Sequence, residues 1–540
     1  MKNNIYKDWS KNDLIDEIDK LKKRKKYGLV WETKEKEKVV LKCQKEFPII
    51  NEITSKEIKS NDDSNFNLLI EGDNYHSLSV LNYTHSKSVD IIYIDPPYNR
   101  GGDFIYNDKF IEKTDSYKHS KWVSYMYKRL FLCKELLSEK GIIFISIDEN
   151  EFAQLKIICD EIFKENQNGI FVWQKKYGGS NDSGNIATEH EYILSYSKTN
   201  SSEPWLEPHD DKYLKRYKEQ DKLGRFYWDT LERPGLKSPI LVKVKFKNKI
   251  YKLKTFRSQA RVDEEIKRGE IKILQLNNGK ISFQFKQRLR DGKLPRSILR
   301  DNKDDIDQDL LLKIGSNSTA KKELLEIFGK EVFSNPKPTN LIMYLISLIK
   351  NKNATILDFF AGSGTTGHAV LKLNKIDNGN RKFILCTNNE NNICENVTYP
   401  RLLKVNNGYK HENKKSDPLN FNLKYFKTNF VSSDHSDKNK INLTKKATEM
   451  ICIKENTFDN ISNSEKIKIF KNQSNFTIII YDQLIINEVK KMILKFDGII
   501  KIYIFSLGND LFEDEFAEFE NVEVEPIPEP IFRIYKRLFR

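Results

Sequence analysis

The sequence is short of the features that mark several large protein classes. Its six cysteines (Cys43, Cys133, Cys159, Cys386, Cys394 and Cys452) include no Cys-x-x-Cys pair. Neither a zinc site nor a disulfide framework is indicated, and a reducing cytoplasm is the expected home. No apolar run approaches the roughly 20 residues of a membrane-spanning helix. The start, Met1-Lys-Asn-Asn-Ile-Tyr-Lys7, has no apolar signal core, so no membrane association is expected. Gly-x4-Gly-Lys-Ser/Thr is missing too, and with it the phosphate loop of an ATP-driven engine. Acid is also in deficit. Asp and Glu number 77 against 92 Lys and Arg in 540 residues, a net charge of +15.

That surplus is local. Between Lys237 and Arg300 stand 19 Lys or Arg and 5 Asp or Glu, an excess of 14. Phe246, Tyr251, Phe256, Phe283, Gln284, Phe285 and Gln287 are interleaved with the bases. Leu241-Val-Lys-Val-Lys-Phe-Lys247 alternates like a strand with one face in water. One basic face on an otherwise near-neutral chain is the electrostatic footprint of nucleic-acid binding. A lysine-rich solvated insertion is the alternative.

On either side of this segment the pattern is α/β. Asp13–Lys25 predicts an amphipathic helix, with Leu14, Ile15, Ile18 and Leu21 on one stripe and a basic run at Lys22–Lys26. Residues 67–71 read as a strand that turns at Gly72 into a helix, leaving Asp73 to cap that helix or to touch a ligand. Ser120–Ser138 predicts a helix, Gly141–Ile147 a buried strand, and Glu189–Tyr196 a further strand after a glycine-serine loop (Tyr177–Gly184). Strand, helix and strand alternate, so the sheet is expected to be mostly parallel. The domains expected are a charged helical region over 1–60, a catalytic half over 61–200, a basic insertion over 201–335, a cofactor half over 336–415, and a small α/β unit over 416–540. This last unit carries strands at Phe476–Tyr481 and Ile499–Phe505.

Two stretches concentrate the chemistry. Val89-Asp-Ile-Ile-Tyr-Ile-Asp-Pro-Pro-Tyr98 is a β-branched run broken by two prolines, which have no N–H for a central ladder. The chain must leave the sheet at its carboxyl edge, where open α/β sheets bind ligands. Asp95 and Tyr98 can there grip a planar amine, the carboxylate accepting from nitrogen and the ring stacking. A proline-terminated strand with a surface tyrosine has the same letters. The second stretch is Asp358-Phe-Phe-Ala-Gly-Ser-Gly-Thr-Thr-Gly367, whose glycines at 362, 364 and 367 fit Gly-x-Gly-x-x-Gly between strand and helix. Asp358 on the strand suits a ligand ammonium, and Glu390, 23 residues beyond Gly367, suits ribose hydroxyls. Both fit an adenosyl amino acid better than a nicotinamide dinucleotide.

Asp95-Pro-Pro-Tyr98 followed by Asp358-Phe-Phe-Ala-Gly-Ser-Gly-Thr-Thr366, with a basic region between, resembles the β-class amino-methylating DNA methyltransferases. Lys25–Trp31, Glu71-Gly-Asp-Asn74, Cys386-Thr-Asn-Asn-Glu390 and Pro528–Tyr535 are similar to the modification subunit of type III restriction-modification systems. The resemblance implies a Rossmann-like methyltransferase sheet with permuted motif order and an inserted target-recognition domain. It implies methyl transfer from S-adenosyl-L-methionine to adenine N6 in double-stranded DNA, by base flipping. Asp95 and the Pro96 carbonyl, on the turn stiffened by Pro97, then accept from the N6 amine and Tyr98 stacks on the base. The cofactor's methionine side falls to Asp358, Phe360, Gly362, Ser363, Gly364 and Thr365. Its carboxylate falls to Lys337 and Thr339, its ribose to Glu390 and its adenine to Asp73. The resemblance also implies a homodimer and a separate restriction subunit. An N4-cytosine methyltransferase, whose motif usually begins with Ser, a non-catalytic DNA-binding subunit and a nicotinamide oxidoreductase are the rival readings.

Overall fold

The computed structural model describes residues 37–60, 65–107, 109–178, 185–200, 205–207, 209, 211–233, 235–276, 279–301, 313–412, 414–508 and 510–539, with residues 10, 11, 14, 15 and 31. The helix expected over Asp13–Lys25 with its basic run, the 25–30 stretch and most of the 177–184 loop lie outside the described residues. The chain divides into two compact units. One comprises Met1–Ser202, Arg296–Asp304 and Leu310–Arg540; the other comprises Glu203–Pro295 and Asp305–Asp309. The chain therefore rejoins the first unit well before residue 335, and its helix Asn317–Phe328 belongs there.

The first unit is built on a ten-stranded sheet. In chain order its strands are β1 (Glu46–Glu52), β2 (Phe66–Glu71), β3 (Val89–Ile94), β4 (Leu137–Ile147), β5 (Gln167–Gln174), β6 (His190–Ser197), β7 (Ile298–Leu299), β8 (Thr355–Asp358), β9 (Lys382–Thr387) and β10 (Asn422–Ser432). Their spatial order is β1-β10-β2-β9-β8-β3-β4-β6-β5-β7. Only β1 and β6 run against the rest. Parallel neighbours cannot be joined by tight turns, so helices cross between them: α1 (Asn74–Thr84), α2 (Lys118–Leu136), α3 (Phe152–Phe163), α4 (Thr339–Ser347) and α5 (Thr365–Asp377). α1 is buried on every face, so its polar residues bond inward. Ser79 donates to the Tyr75 carbonyl (2.7 Å) and Asn82 to those of Leu78 (2.9 Å) and Leu132 (3.2 Å).

Three strands depart from the expected layout. Glu46–Glu52 lies in the stretch expected to be helical, yet its Phe-Pro-Ile-Ile centre is buried and pairs with β10 alone. An edge position tolerates Pro48, which cannot donate to a second neighbour. Gln167–Gln174 went unpredicted; it pairs antiparallel with β6. Asn422–Ser432 lies in the large sheet between β1 and β2, so residues 416–432 complete that sheet. The separate five-stranded sheet starts at Asp459 and runs in chain order to Ile527, including Asn475–Ile480 and Ile499–Phe505. The final helix, Glu529–Leu538, returns to β1. The Phe47 ring lies 5.6 Å from Phe532 and 5.0 Å from Tyr535, and the Tyr535 hydroxyl donates to the Pro48 carbonyl at 2.5 Å.

The second unit has a four-stranded antiparallel sheet, in the order Ile271–Gln275, Ile281–Arg288, Gly224–Thr230 and Glu219–Asp221, and a hairpin of Ile240–Phe246 with Lys249–Thr255. Val242, Val244 and Leu253 of the hairpin are buried with Leu231, Val262, Phe283 and Phe285. Its outward positions carry Lys243, Lys245, Lys252 and Lys254, all exposed, with Lys243 directly opposite Lys252.

Phe47→Ala is expected to cost about 3–5 kcal/mol, as other large buried aromatic truncations do. Because the lost contacts are with Phe532 and Tyr535, amide exchange should rise first in Glu529–Leu538. Uniform acceleration across the unit would contradict that local role.

Candidate active site

The strands β2, β9, β8 and β3 lie side by side and run the same way, so their carboxyl ends open on one edge. A cavity of about 580 Å³ sits at that edge, within the size range of small-molecule sites. Each strand end supplies part of its wall: Asp73 and Asn74 after β2, Thr387, Asn388 and Glu390 after β9, Phe359, Phe360 and Gly362 after β8, and Asp95 and Pro97 after β3. Tyr125 of α2 and residues 102–107 add to the wall. The cavity therefore joins six of the residues singled out in the sequence: Asp73, Asp95, Pro97, Phe360, Gly362 and Glu390. Asp73 also does what a helix cap does, accepting from the Tyr75 N–H at 2.7 Å.

The turn after β3 is held from several sides. The Trp122 indole donates to the Pro97 carbonyl at 2.7 Å. Behind Asp95, the ammonium of Lys337 lies 2.8 Å from both carboxylate oxygens, 2.9 Å from the Tyr98 hydroxyl and 3.3 Å from Glu191. The Tyr98 hydroxyl is 2.7 Å from Asp95 Oδ1 and 3.1 Å from Glu191 Oε2, to either of which it can donate. Glu191, on β6, also pairs with Lys175 (3.2 Å) and Arg100 (3.3 Å). Burial opposes its charge, but Lys337, Lys175 and Arg100 outweigh that and hold its carboxyl below the usual range. Lys337, expected at a cofactor carboxylate, instead sits on Asp95. The Tyr98 ring, expected to be open for stacking, is buried, with the Arg100 guanidinium 4.8 Å from its centroid.

The glycine loop after β8 is built differently from expectation. Asp358 accepts from the Phe360 N–H (2.9 Å) and the Thr366 hydroxyl (2.5 Å), which ties the strand end to the first turn of α5. Burial pushes its carboxyl up to about 7. It is thus a brace inside the loop and not part of the cavity wall. Gly364 has φ +76°, the left-handed region open to glycine, and starts α5. At Gly367 a Cβ would lie 3.1 Å from both Leu385 and Leu402, so the absent side chain lets α5 approach β9. Beneath the loop, the fully buried Arg401 donates to Thr365 Oγ1 (2.8 Å), Ser363 Oγ (3.2 Å), Thr339 Oγ1 (3.1 Å) and Glu323 (3.2 Å). Ser363, Thr365 and Thr339 therefore turn their hydroxyls into this network and away from the cavity. Glu191, Arg401 and Glu323 were missed in the sequence, because single charged residues far from any motif give no local signal.

Beyond the turn, Asn99 adopts φ +59° and donates to Glu151 Oε1 at 2.5 Å, and His119 Nδ1 lies 2.6 Å from the same oxygen. Glu151 Oε2 and Asn99 Oδ1 are both buried acceptors without a partner. Burial pushes the Glu151 carboxyl up to about 8.

A family model described as DNA methylase matches residues 89–398, from the start of β3 through the glycine loop to the turn after β9. Among curated proteins, the type III restriction-modification enzyme StyLTI Mod subunit of Salmonella typhimurium is 37% identical over 370 residues, which are 63% of this chain and 55% of that protein. The EcoPI Mod subunit of Escherichia phage P1 is 30% identical over 68% of this chain and 64% of its own length. The type II methyltransferase M.KpnI of Klebsiella pneumoniae is 34% identical over 62% of this chain and 84% of its own. The chain spans 55% and 64% of the length of these two Mod subunits.

Glu151 gives a pH test. A carboxyl raised in the fold adds stability that is full below its unfolded value, near 4.5, and lost as pH rises through about 8. Glu151→Gln keeps a donor at that position without titrating. Its stability relative to wild type should rise by at least about 1 kcal/mol between pH 5 and pH 9. The same difference at both pH values would rule the account out.

Proposed function

The chain belongs to the DNA methylase family, and on that membership we propose that it is a site-specific DNA methyltransferase acting on adenine N6, the modification and specificity subunit of a type III restriction-modification system. The observation that carries the reading is the single cavity at which the Asp95-Pro-Pro-Tyr98 turn and the Asp358–Gly367 loop meet, though 260 residues separate them in the chain.

The proposed cofactor, S-adenosyl-L-methionine, supplies an electrophilic methyl group on a sulfonium. The cavity suits a cationic, aromatic, hydroxyl-bearing ligand: it carries the carboxylates of Asp73 and Glu390, the rings of Phe360 and Tyr125, and the open backbone of Gly362. Those residues would hold it. Asp95 would accept an N–H of the target amine, drawing its nitrogen lone pair out of conjugation with the ring. The lone pair of that amine would take the methyl group, the N–C bond forming as the S–C bond breaks, and the amine's proton would pass to solvent. Stacking of a flipped base on Tyr98 displaces Arg100, which is 42% exposed and covers the ring. Among the described residues of the second unit, the hairpin lysines supply phosphate contacts. M.KpnI, matched over 84% of its length, favours a free-standing type II modification enzyme as the second reading.

Incubation with labelled cofactor and unmethylated DNA, followed by nucleoside mass analysis, is expected to yield N6-methyladenine. N4-methylcytosine alone would sink the adenine assignment, and no product on any DNA would sink the enzyme. Asp95→Ala should abolish transfer and leave DNA binding intact. Changing Lys243, Lys245, Lys252 and Lys254 together to Gln should lower the slope of log K against log salt by about 3 to 4, with cofactor binding unchanged.

A further inference from the structure

Two buried ionic residues at the centre of the site have no part in the reaction as described so far. Lys337 stands between Pro336 and Pro338, whose rings fix the backbone on both sides of it. Its ammonium touches both oxygens of Asp95, yet it is not on the cavity wall, whereas Asp95 is. The contact is therefore made from the far side of the carboxylate. A carboxylate has about four acceptor positions. Lys337 takes two, the Tyr98 hydroxyl takes one on Oδ1 when it donates there and not to Glu191, and at least one is left on Oδ2. The second residue, Glu191, receives the same ammonium at 3.3 Å and the same hydroxyl at 3.1 Å.

We infer that Lys337 and Glu191 are positioning residues for the proposed transfer: Lys337 keeps Asp95 ionised and turned so that one acceptor position faces the cavity, and Glu191 shares the ammonium and seats the Tyr98 hydroxyl. This rests on the methyl-transfer reading and names what orients its amine-gripping carboxylate. The groups facing Asp95 are Lys337 from the proline turn, Tyr98 from its own turn, Tyr93 of β3 and Asp358 of β8, with Glu191 beyond Tyr98 carrying Lys175 and Arg100. Lys337 alone among them is a cation bonded to Asp95. Without it, Asp95 has no cation in contact and is left near the Glu191 carboxylate, and a like charge favours its protonation. A protonated Asp95 donates where it has to accept, so the grip on the amine fails at the acid end of the pH range.

The test is the pH dependence of the maximal rate of labelled-methyl incorporation into unmethylated genomic DNA, at saturating cofactor, for wild type, Lys337→Met, Lys337→Arg and Glu191→Gln. Lys337→Met should move the acid limb up by at least about one pH unit, a tenfold loss at a pH where wild type is unaffected, with a smaller change in KM for DNA. Lys337→Arg should restore part of that displacement. Glu191→Gln removes an anion and should move the limb the other way. Displacement between the profiles is the reading. A Lys337→Met profile lowered in parallel at every pH would overturn the inference, as would an upward limb in Glu191→Gln, which decides alone if Lys337→Met does not fold. Absence of incorporation by wild type would overturn the methyl-transfer reading itself, whereas transfer with unmoved limbs overturns only these two roles.

Discussion

The site depends on one backbone constraint: β2, β9, β8 and β3 are hydrogen-bonded neighbours that run in the same direction. Parallel neighbours put all their carboxyl ends at one edge, and the loops leaving them must share the space there. The ladder between β8 and β3 is short, pairing Ile356 with Ile91 and Leu357 with Ile92. Those pairs bring a turn at residue 95 beside a loop at residue 360. Because the connections are long crossovers, an insertion as large as Glu203–Pro295 can sit between the two motifs without disturbing their adjacency.

Around this edge, buried polar groups are handled in two ways. Under the glycine loop, one guanidinium satisfies four acceptors, and the hydroxyls of Ser363, Thr365 and Thr339 complete a network that faces inward. Such a network fixes the loop's shape and leaves its backbone as the surface a ligand meets. Behind Asp95 the solution is ionic. An unpaired buried charge is costly, and the buried Lys337 ammonium is met by the carboxylates of both Asp95 and Glu191. Asp358, which has no cation in contact, is pushed by burial up to about 7.

Much of this was readable in the letters. β-branched runs and the proline break placed β3 and its turn, and the spacing of Gly362, Gly364 and Gly367 placed the loop and the start of α5. These signals are local, set by which backbone angles and hydrogen bonds a residue permits. What was not readable is equally physical. Side-chain direction depends on partners that sequence does not juxtapose, so Lys337, Thr339, Ser363, Thr365 and Asp358 were given to a ligand when each is satisfied by another part of the chain. Glu46–Glu52 was hidden by the charged residues around its apolar centre. Asn422–Ser432 alternates too weakly to reveal that it is buried on both sides over its first half.

Charge counting shows the same limit from the other direction. The insertion's excess of 14 does not say where its field is strongest, because its acids are not spread evenly. Arg288 is bonded to both Asp221 and Glu270, Lys286 to Asp221, Arg257 and Arg261 to Glu265, and Arg268 to Glu264. The hairpin gathers bases that have no such pair. Among the described residues, Lys243, Lys245, Lys252 and Lys254 have no carboxylate within ion-pair distance, and Lys243 faces Lys252 across the ladder. Like charges in that position weaken a hairpin, and the burial of Val242, Val244 and Leu253 must offset the repulsion. A fold gains nothing from such an arrangement on its own account. The charge is stabilising only when something anionic lies against that face, so the uncompensated lysines, and not the total, mark where the proposed DNA contact falls.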